Sequence, residues 1–291
     1  ALRDTRKAQI EAYFEERLGD VKVLASDRTT IQAVKEFEEA FMSQGAPSIR
    51  SAYLGKPELV DAGDGKPYSR VHSKYHPFFR RYVKEYGYYD LFLIAKDGDI
   101  VYTMFKKDDF GTNLKSEEDA QRIGSSARYA GTNLGEAFRK ALTLPQGEAV
   151  LVNFEYYEPS KEPAAFVASP VYDRGQLVGV LAFQLSIDEI DGIMQVKAGM
   201  GETGEIYLVG SDKLLRSNSR FSEESTILKR KIDTKAVREA LAGKTGAKVI
   251  KDYRGVSVLS AYAPLDIKGV KWAILAEIDK SEAFASVRRL G

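Results

Sequence analysis

Few residues in this 291-residue sequence have both the type and the spacing for chemistry. Its two histidines, His72 and His76, stand four apart, which on a helix puts both imidazoles on one face. Two imidazoles are half of a zinc shell. No Glu occupies the His-Glu-x-x-His position and Pro77 follows at once, so the pair reads as packing or capping against a sheet. The absence of Cys removes thiolate ligands, disulfides and cysteine nucleophiles. The run Gly199-Met-Gly-Glu-Thr-Gly204 lacks the Gly-Lys-Ser/Thr ending of a phosphate loop and precedes a strand, so it is a turn. Asp61 to Asp64 with Gly65 lacks EF-hand spacing, and no Gly-x-Ser-x-Gly nucleophile motif exists. No catalytic residue, cofactor or metal is expected.

A binding site is a better match. Between residues 102 and 173 aromatic side chains crowd beside a few polar ones: Tyr102, Phe105, Phe110, Tyr129, Phe154, Tyr156, Tyr157 and Phe166 with Arg128, Glu155, Glu158, Ser169 and Asp173. Apolar walls with a few fixed polar groups suit a small molecule, although alternating rings also simply pack a sheet. The chosen ligand-binding residues are Tyr102, Phe105, Arg128, Tyr129, Tyr157, Glu158, Ser169 and Asp173; those in the longer loops or at strand ends weigh most. Glu158 and Asp173 facing a pocket would favour an amine, and Arg128 a carboxylate.

The elements that must position these residues follow from period and turn chemistry. Residues 1–44 are helical by period, Gln44-Gly45-Ala46-Pro47 breaks the helix, residues 53–67 read as loop, and a second helix runs from 69 to 86. Strands then begin: 89–95, a turn at Lys96-Asp97-Gly98-Asp99, and 100–105 form a hairpin. A helix at 133–142 and strands at 149–157, 164–172 and 177–185 complete a module, the last two joined across Asp173-Arg174-Gly175-Gln176. Residues 281–290 read as a closing helix with Phe284, Val287 and Leu290 on one side and Arg288 and Arg289 beside them. Lys+Arg at 43 against Asp+Glu at 42 leaves a net charge of +1, so nucleic acid is not an expected partner. No run of about 18 apolar residues occurs, and helices at both ends are what excision from between two membrane spans would leave.

The module repeats. Asp90-Leu-Phe-Leu-Ile matches Glu205-Ile-Tyr-Leu-Val, Phe138-Arg-Lys-Ala-Leu matches Val237-Arg-Glu-Ala-Leu, the Ala168-Ser-Pro segment matches the segment from Ala261, and Ile187-Asp188 matches Ile278-Asp279. The offset falls from 115 positions at the first match to 91 at the last, so the first copy carries extra residues around 110–133 and 155–163. Insertions in a repeat gather on one face, often the binding face, which makes the first copy the expected binder and the second the transmitter.

With these features the chain resembles the double Cache (tandem PAS-like) sensor domains of bacterial chemoreceptors, sensor histidine kinases and diguanylate cyclases. The resemblance rests on Lys7-Ala-Gln-Ile-Glu-Ala-Tyr-Phe14, the block from Asp61 to Arg80, Gly87-Tyr-Tyr-Asp-Leu-Phe-Leu-Ile94, Asp109-Phe-Gly-Thr-Asn-Leu114 and Pro163-Ala-Ala-Phe-Val-Ala-Ser-Pro170. It implies an α+β fold, a long N-terminal helical layer (1–86) with two tandem PAS-like modules, each an antiparallel sheet flanked by helices. The modules would be a membrane-distal ligand-binding one (87–195) and a membrane-proximal one (196–280), with a C-terminal helix (281–291) leading to a transmembrane segment. It further implies a domain outside the inner (cell) membrane, extracellular or periplasmic, a homodimer packed through N-terminal helices, flanking transmembrane helices, and signalling to a cytoplasmic kinase, cyclase or chemotaxis output. The fragment itself would not be an enzyme. The ligand would be an amine, amino acid or small carboxylate. The Arg-x-Trp-Tyr element of amino-acid-binding members is missing: the sole Trp, Trp272, falls on a strand of the second module and reads as core, and only Arg128-Tyr129 stands near the expected place. The competing expectation is an ectodomain that binds a partner protein and no small ligand; a periplasmic enzyme is a weaker third.

Overall fold

A computed structural model describes the backbone of residues 1–290 and the side chains of 1–285. The elements in order are α1 (Leu2–Ala25), α2 (Arg28–Gln44), α3 (Ala46–Tyr53), α4 (Pro67–Tyr86), β1 (Asp90–Ala95), β2 (Ile100–Thr103), α5 (Glu117–Gln121), α6 (Asn133–Leu142), β3 (Val150–Tyr157), β4 (Glu162–Asp173), β5 (Gln176–Ser186), α7 (Ile187–Met194), β6 (Glu205–Gly210), α8 (Lys235–Leu241), β7 (Gly246–Lys251), β8 (Ser257–Pro264), β9 (Trp272–Asp279) and α9 (Lys280–Leu290). This is the expected α+β architecture with two antiparallel sheets, ordered β2-β1-β5-β4-β3 and β6-β9-β8-β7. The chain divides into two compact units, residues 16–186 and residues 1–15 with 187–291. Among the described residues no helix is long and apolar enough to cross a membrane. The expected stripe of Val287 and Leu290, with Arg288 and Arg289, lies outside the described side chains.

The helix expected over 1–44 is two helices. Asp27 interrupts it because its carboxylate accepts from the Thr29 N–H at 2.8 Å and so caps a new helix, a bond an Asp in mid-helix forgoes. Gly45 (φ 87°) ends α2, and α3 starts at once where loop was expected to begin only after Tyr53. Pro67 opens α4 in the first turn, where a missing N–H costs nothing; Pro77, inside the helix, is exposed and removes the N–H that would bond the Ser73 carbonyl.

In the unit of residues 16–186, one face of the sheet carries α2 and α4. Phe37 and Tyr102 stack at 5.1 Å, and Phe79 lies 5.4 Å from Tyr102. His72 and His76 stack at 4.4 Å and fasten the 54–66 segment: His72 Nδ1 donates to Val60 O and His76 Nε2 to Pro57 O, each at 2.7 Å. Because a carbonyl can only accept, His76 Nε2 carries the proton and Nδ1 accepts from Tyr102 OH at 2.6 Å. Burial, reinforced by Lys106, holds His76 down to about 4 and His72 far lower, so both rings are neutral struts. The opposite face packs α6 through Phe92, Leu134, Phe138, Tyr157 and Phe166. Each fully buried ring of this kind contributes about 1.5–3 kcal/mol.

The unit of residues 1–15 with 187–291 repeats the plan with fewer parts. Tyr207, Val209, Val237, Tyr262 and Leu275 make the core under α8. Trp272 is buried and meets Phe14 edge-on at 5.4 Å, as core. The expected second strand is reduced to the isolated bridges Val209↔Leu215 and Leu214↔Lys231, because the chain after Arg216 turns into a Ser/Asn-rich loop bonded to itself and to Asp191. Sheet register also corrects the repeat alignment: Asp90 pairs with Gln184 and Glu205 with Glu277, so Gln184 corresponds to Glu277, two positions away from the match at Ile187/Ile278.

Candidate ligand-binding site

Asp109 and Asp90 define the most unusual chemistry of the first module. Both side chains are buried on the α6 side of the sheet: Asp90 shares the strand face of Phe92, and Asp109 Oδ2 accepts from Tyr157 OH at 2.7 Å. Asp90 Oδ1 accepts three backbone N–H groups, from Leu91 (2.8 Å), Met104 (3.1 Å) and Phe105 (3.0 Å), pinning the end of the β1–β2 hairpin. The remaining oxygens, Asp90 Oδ2 and Asp109 Oδ1, have no hydrogen bond, and neither does Asn133 Oδ1 at the start of α6. All three orphans are acceptors. Burial raises both carboxyls, and Asp109 raises Asp90 further by repulsion, against the pull of Lys106.

The turn that presents Asp109 is stiff. Thr112 N and Oγ1 bond the Asp109 carbonyl at 3.1 and 2.7 Å, and Gly111 N bonds Ile100 O at 3.0 Å. Arg50 of α3 reaches Asp108 O at 3.0 Å, the Asp108 carboxylate at 3.0 Å and Phe110 O. Asn113 closes the segment by donating to Asp97 O at 3.0 Å and Asp99 Oδ1 at 2.7 Å, and a Cβ on Gly98 (φ 99°) would come within 2.9 Å of its Oδ1, which is why that turn needs glycine.

Three of the eight selected residues converge here. Tyr129, buried, donates to Asp108 Oδ2 at 2.6 Å; the exposed Arg128 pairs with Asp108 and donates to Tyr129 OH at 2.6 Å; Tyr157 holds Asp109. Phe105 is half-buried beside them, stacked on Tyr89 at 5.3 Å. The other four lie elsewhere. Tyr102 faces α2 and α4 because the β1–β2 register slips between Leu93 and Ile94, turning it away from the face of Ile100. Asp173 is bound by Lys35 (2.6 Å) and Arg28 (3.0 Å), so its charge is spent on α2. Glu158 is exposed in the β3–β4 turn, and Ser169 Oγ donates to Glu148 O at 2.6 Å. Sequence reasoning missed Asp90 and Asp109, although a signal existed: an acid opening an otherwise apolar strand, and an acid leading the Asp-Phe-Gly-Thr-Asn-Leu segment.

Lys106 is a second omission. It is fully buried with φ 58°, its Nζ bonded to Thr103 O and 4.1 Å from the Tyr102 ring centre. Burial pushes its ammonium well down, and Asp90 alone opposes that.

No curated protein sequence matches the chain. Among solved structures it is similar to the sensor domain of the Vibrio cholerae histidine kinase DctB, at 10% identity over 94% of this chain and 93% of that one, with a TM-score of 0.56. It is likewise similar to the ligand-binding domain of the Pseudomonas aeruginosa PAO1 amino acid chemoreceptor PctB in complex with L-Arg, at 16% identity over 97% and 92% of the two chains, with a TM-score of 0.50. The family model dCache_1, a Cache domain, matches residues 2–287, so the chain belongs to the double Cache family of ligand-binding sensor domains.

Proposed function

We propose that this domain is the extracellular or periplasmic sensor of a bacterial transmembrane receptor, and that its first, membrane-distal module binds a small molecule carrying a protonated amine. The observation that carries the ligand class is the pair of buried, repelling carboxyls, Asp90 and Asp109, each with an unbonded oxygen on the α6 side of the sheet. An ammonium has three donors and no acceptor, the complement of acceptor-only orphans. Its charge removes the repulsion that burial makes costly. Tyr129 and Tyr157 supply ring faces and hydroxyls beside the carboxyls, and Arg128 at the rim could meet a carboxylate if the ligand is an amino acid.

Ligand charge would be read out through Lys106, which shares Asp90 with the ligand and touches Tyr102 under α2 and α4. A cation on Asp90 weakens the hold on Lys106 and favours a different packing of the helical layer. Coupling of about 1–3 kcal/mol is the usual scale for such linkage. The output would be a histidine kinase, diguanylate cyclase or chemotaxis module, reached through a homodimer packed on N-terminal helices and through flanking transmembrane helices.

The test is a thermal-shift and calorimetric screen against amines, amino acids, small carboxylates and purines. Amines are expected to stabilise the domain, and Asp109→Asn to weaken their binding to the first module tenfold or more. Stabilisation by carboxylates alone would overturn the ammonium reading and move the site to Arg128.

A further inference from the structure

The second module carries a buried pair of carboxyls of its own. Glu205 and Glu277 stand directly opposite each other in the β6–β9 ladder, and Ser260 stands opposite Glu277 in the β8–β9 ladder. By strand alternation all three share the face of Tyr207, Tyr262 and Leu275 under α8. Glu277 Oε1 accepts from Tyr207 OH and Glu205 Oε2 from Tyr253 OH, each at 2.6 Å. Glu205 Oε1 and Glu277 Oε2 are buried with no partner, in side chains 6% exposed. Ser260, with no exposure, lies against the Glu277 carboxyl without completing a well-formed hydrogen bond.

Like charges opposite each other in a ladder are unfavourable, and burial sharpens the conflict. The charges acting on Glu277 are those of Asp252 and Glu205, both of which raise it along with burial itself, and Asp252 is occupied by Arg254 at 2.7 Å. The strands therefore bring together two free carboxylate oxygens and the Ser260 hydroxyl, whose single proton faces Glu277 while its lone pairs stay open, with an excess of negative charge.

We propose that the second module holds a separate compartment for a small ammonium ion, with N–H donors directed to Glu205 Oε1, Glu277 Oε2 and Ser260 Oγ. Two free carboxylate oxygens and a serine lone pair match the three donors of an –NH3+ group, and the negative charge of the two glutamates disfavours a carboxylate. Too few carboxylates and no imidazole converge for a divalent metal. Glu205 follows the turn at 200–204, whose Glu202 N, Thr203 N and Thr203 Oγ1 bond the Glu282 carboxylate of α9 at 3.0, 2.9 and 2.7 Å. Occupancy would thus stiffen the anchor of α9's first turn. This site is distinct from the one in the first module and does not depend on it.

Hydrogen exchange read by mass spectrometry, with methylammonium chloride as the probe and tetramethylammonium chloride as the control without N–H groups, separates the two. Methylammonium should slow exchange in peptides covering β6 and β9 by about twofold or more at saturation, in the wild type and in Asp109→Asn alike. Tetramethylammonium should not. Glu277→Gln should abolish the protection, and Ser260→Ala should weaken it in a fold that keeps both carboxyls. Protection confined to the first module would overturn the proposal while leaving the first site intact. Exchange in β6 and β9 that follows pH and ignores methylammonium would also overturn it, since the two glutamates would then share only a proton.

Discussion

The four strands of the second sheet, β6-β9-β8-β7, follow the order β1-β5-β4-β3 of the first, and β1 and β6 each open with a buried acid, yet the second acid comes from different places. In the first module the residue opposite Asp90 is the neutral Gln184, whose amide is used on Ser160 at 3.1 Å, and the second carboxylate arrives from a loop, Asp109. In the second module the ladder itself supplies it, Glu277. The loop-borne acid is held by the bonds of its own turn; the ladder-borne one is held by its strand. The comparison teaches that inserted residues around 110–133 do more than enlarge the first module: from there Arg128 and Tyr129 bind Asp108 and so buttress the turn that carries Asp109.

That contrast can be broken at several points. The largest effect expected is on the core that both designs need: Phe166→Ala should cost about 3–5 kcal/mol in urea unfolding, because a fully buried ring that meets Phe92 and Tyr157 leaves a cavity. A loss below about 1 kcal/mol would mean that this face of the sheet is not tightly packed. Next, Asp109→Asn should weaken amine binding tenfold or more by calorimetry, since a charged hydrogen bond is worth about 1.5–3 kcal/mol. Binding that survives would hand the ligand to another residue.

The pH dependence should be alike in both modules, and its sign is fixed by the raised carboxyls. A carboxyl whose folded pKa lies above its unfolded value favours the folded state fully at low pH, and that contribution is lost as pH rises through the folded value. Asp90 is raised by burial first to about 8, so the ligand-free protein should lose melting temperature as pH rises from about 5 to about 8 and Asp90→Asn should flatten the decline; Glu277, also raised by burial first, acts with the same sign, and Glu277→Gln should lessen the loss on the alkaline side. Asp90→Asn keeps an oxygen for the three backbone N–H groups, so its fold is preserved. A melting temperature that climbs over this interval would contradict buried, unpaired carboxyls in either module. The smallest effect belongs to Asp173→Asn: its pairs with Arg28 and Lys35 are exposed on the cationic side, so the melting temperature should move by no more than about 2 °C and amine binding not at all.

Much of the architecture is legible without coordinates. The Asp97-Gly98 hairpin, the meander after residue 149, the duplication and the core role of Trp272 follow from alternation, turn chemistry and self-similarity, because these are local or periodic properties of the chain. So does the family, whose marks lie in contiguous segments. The helix boundary at Asp27 is not legible by period, since an Asp in an apolar-periodic run serves equally as a surface residue and as a cap.

Local pattern, self-similarity and the family marks thus determined the fold class and the repeat. Only the tertiary structure decided which polar residues face the candidate site. Alternation says which residues share a face and not which face is which, and one register slip sent Tyr102 to the helices. The charge of Asp173 was claimed by residues more than a hundred positions away. Asp90 and Asp109, dispersed among apolar neighbours in sequence, acquired their chemistry only when packing removed water from both and left each an oxygen with nothing to bond.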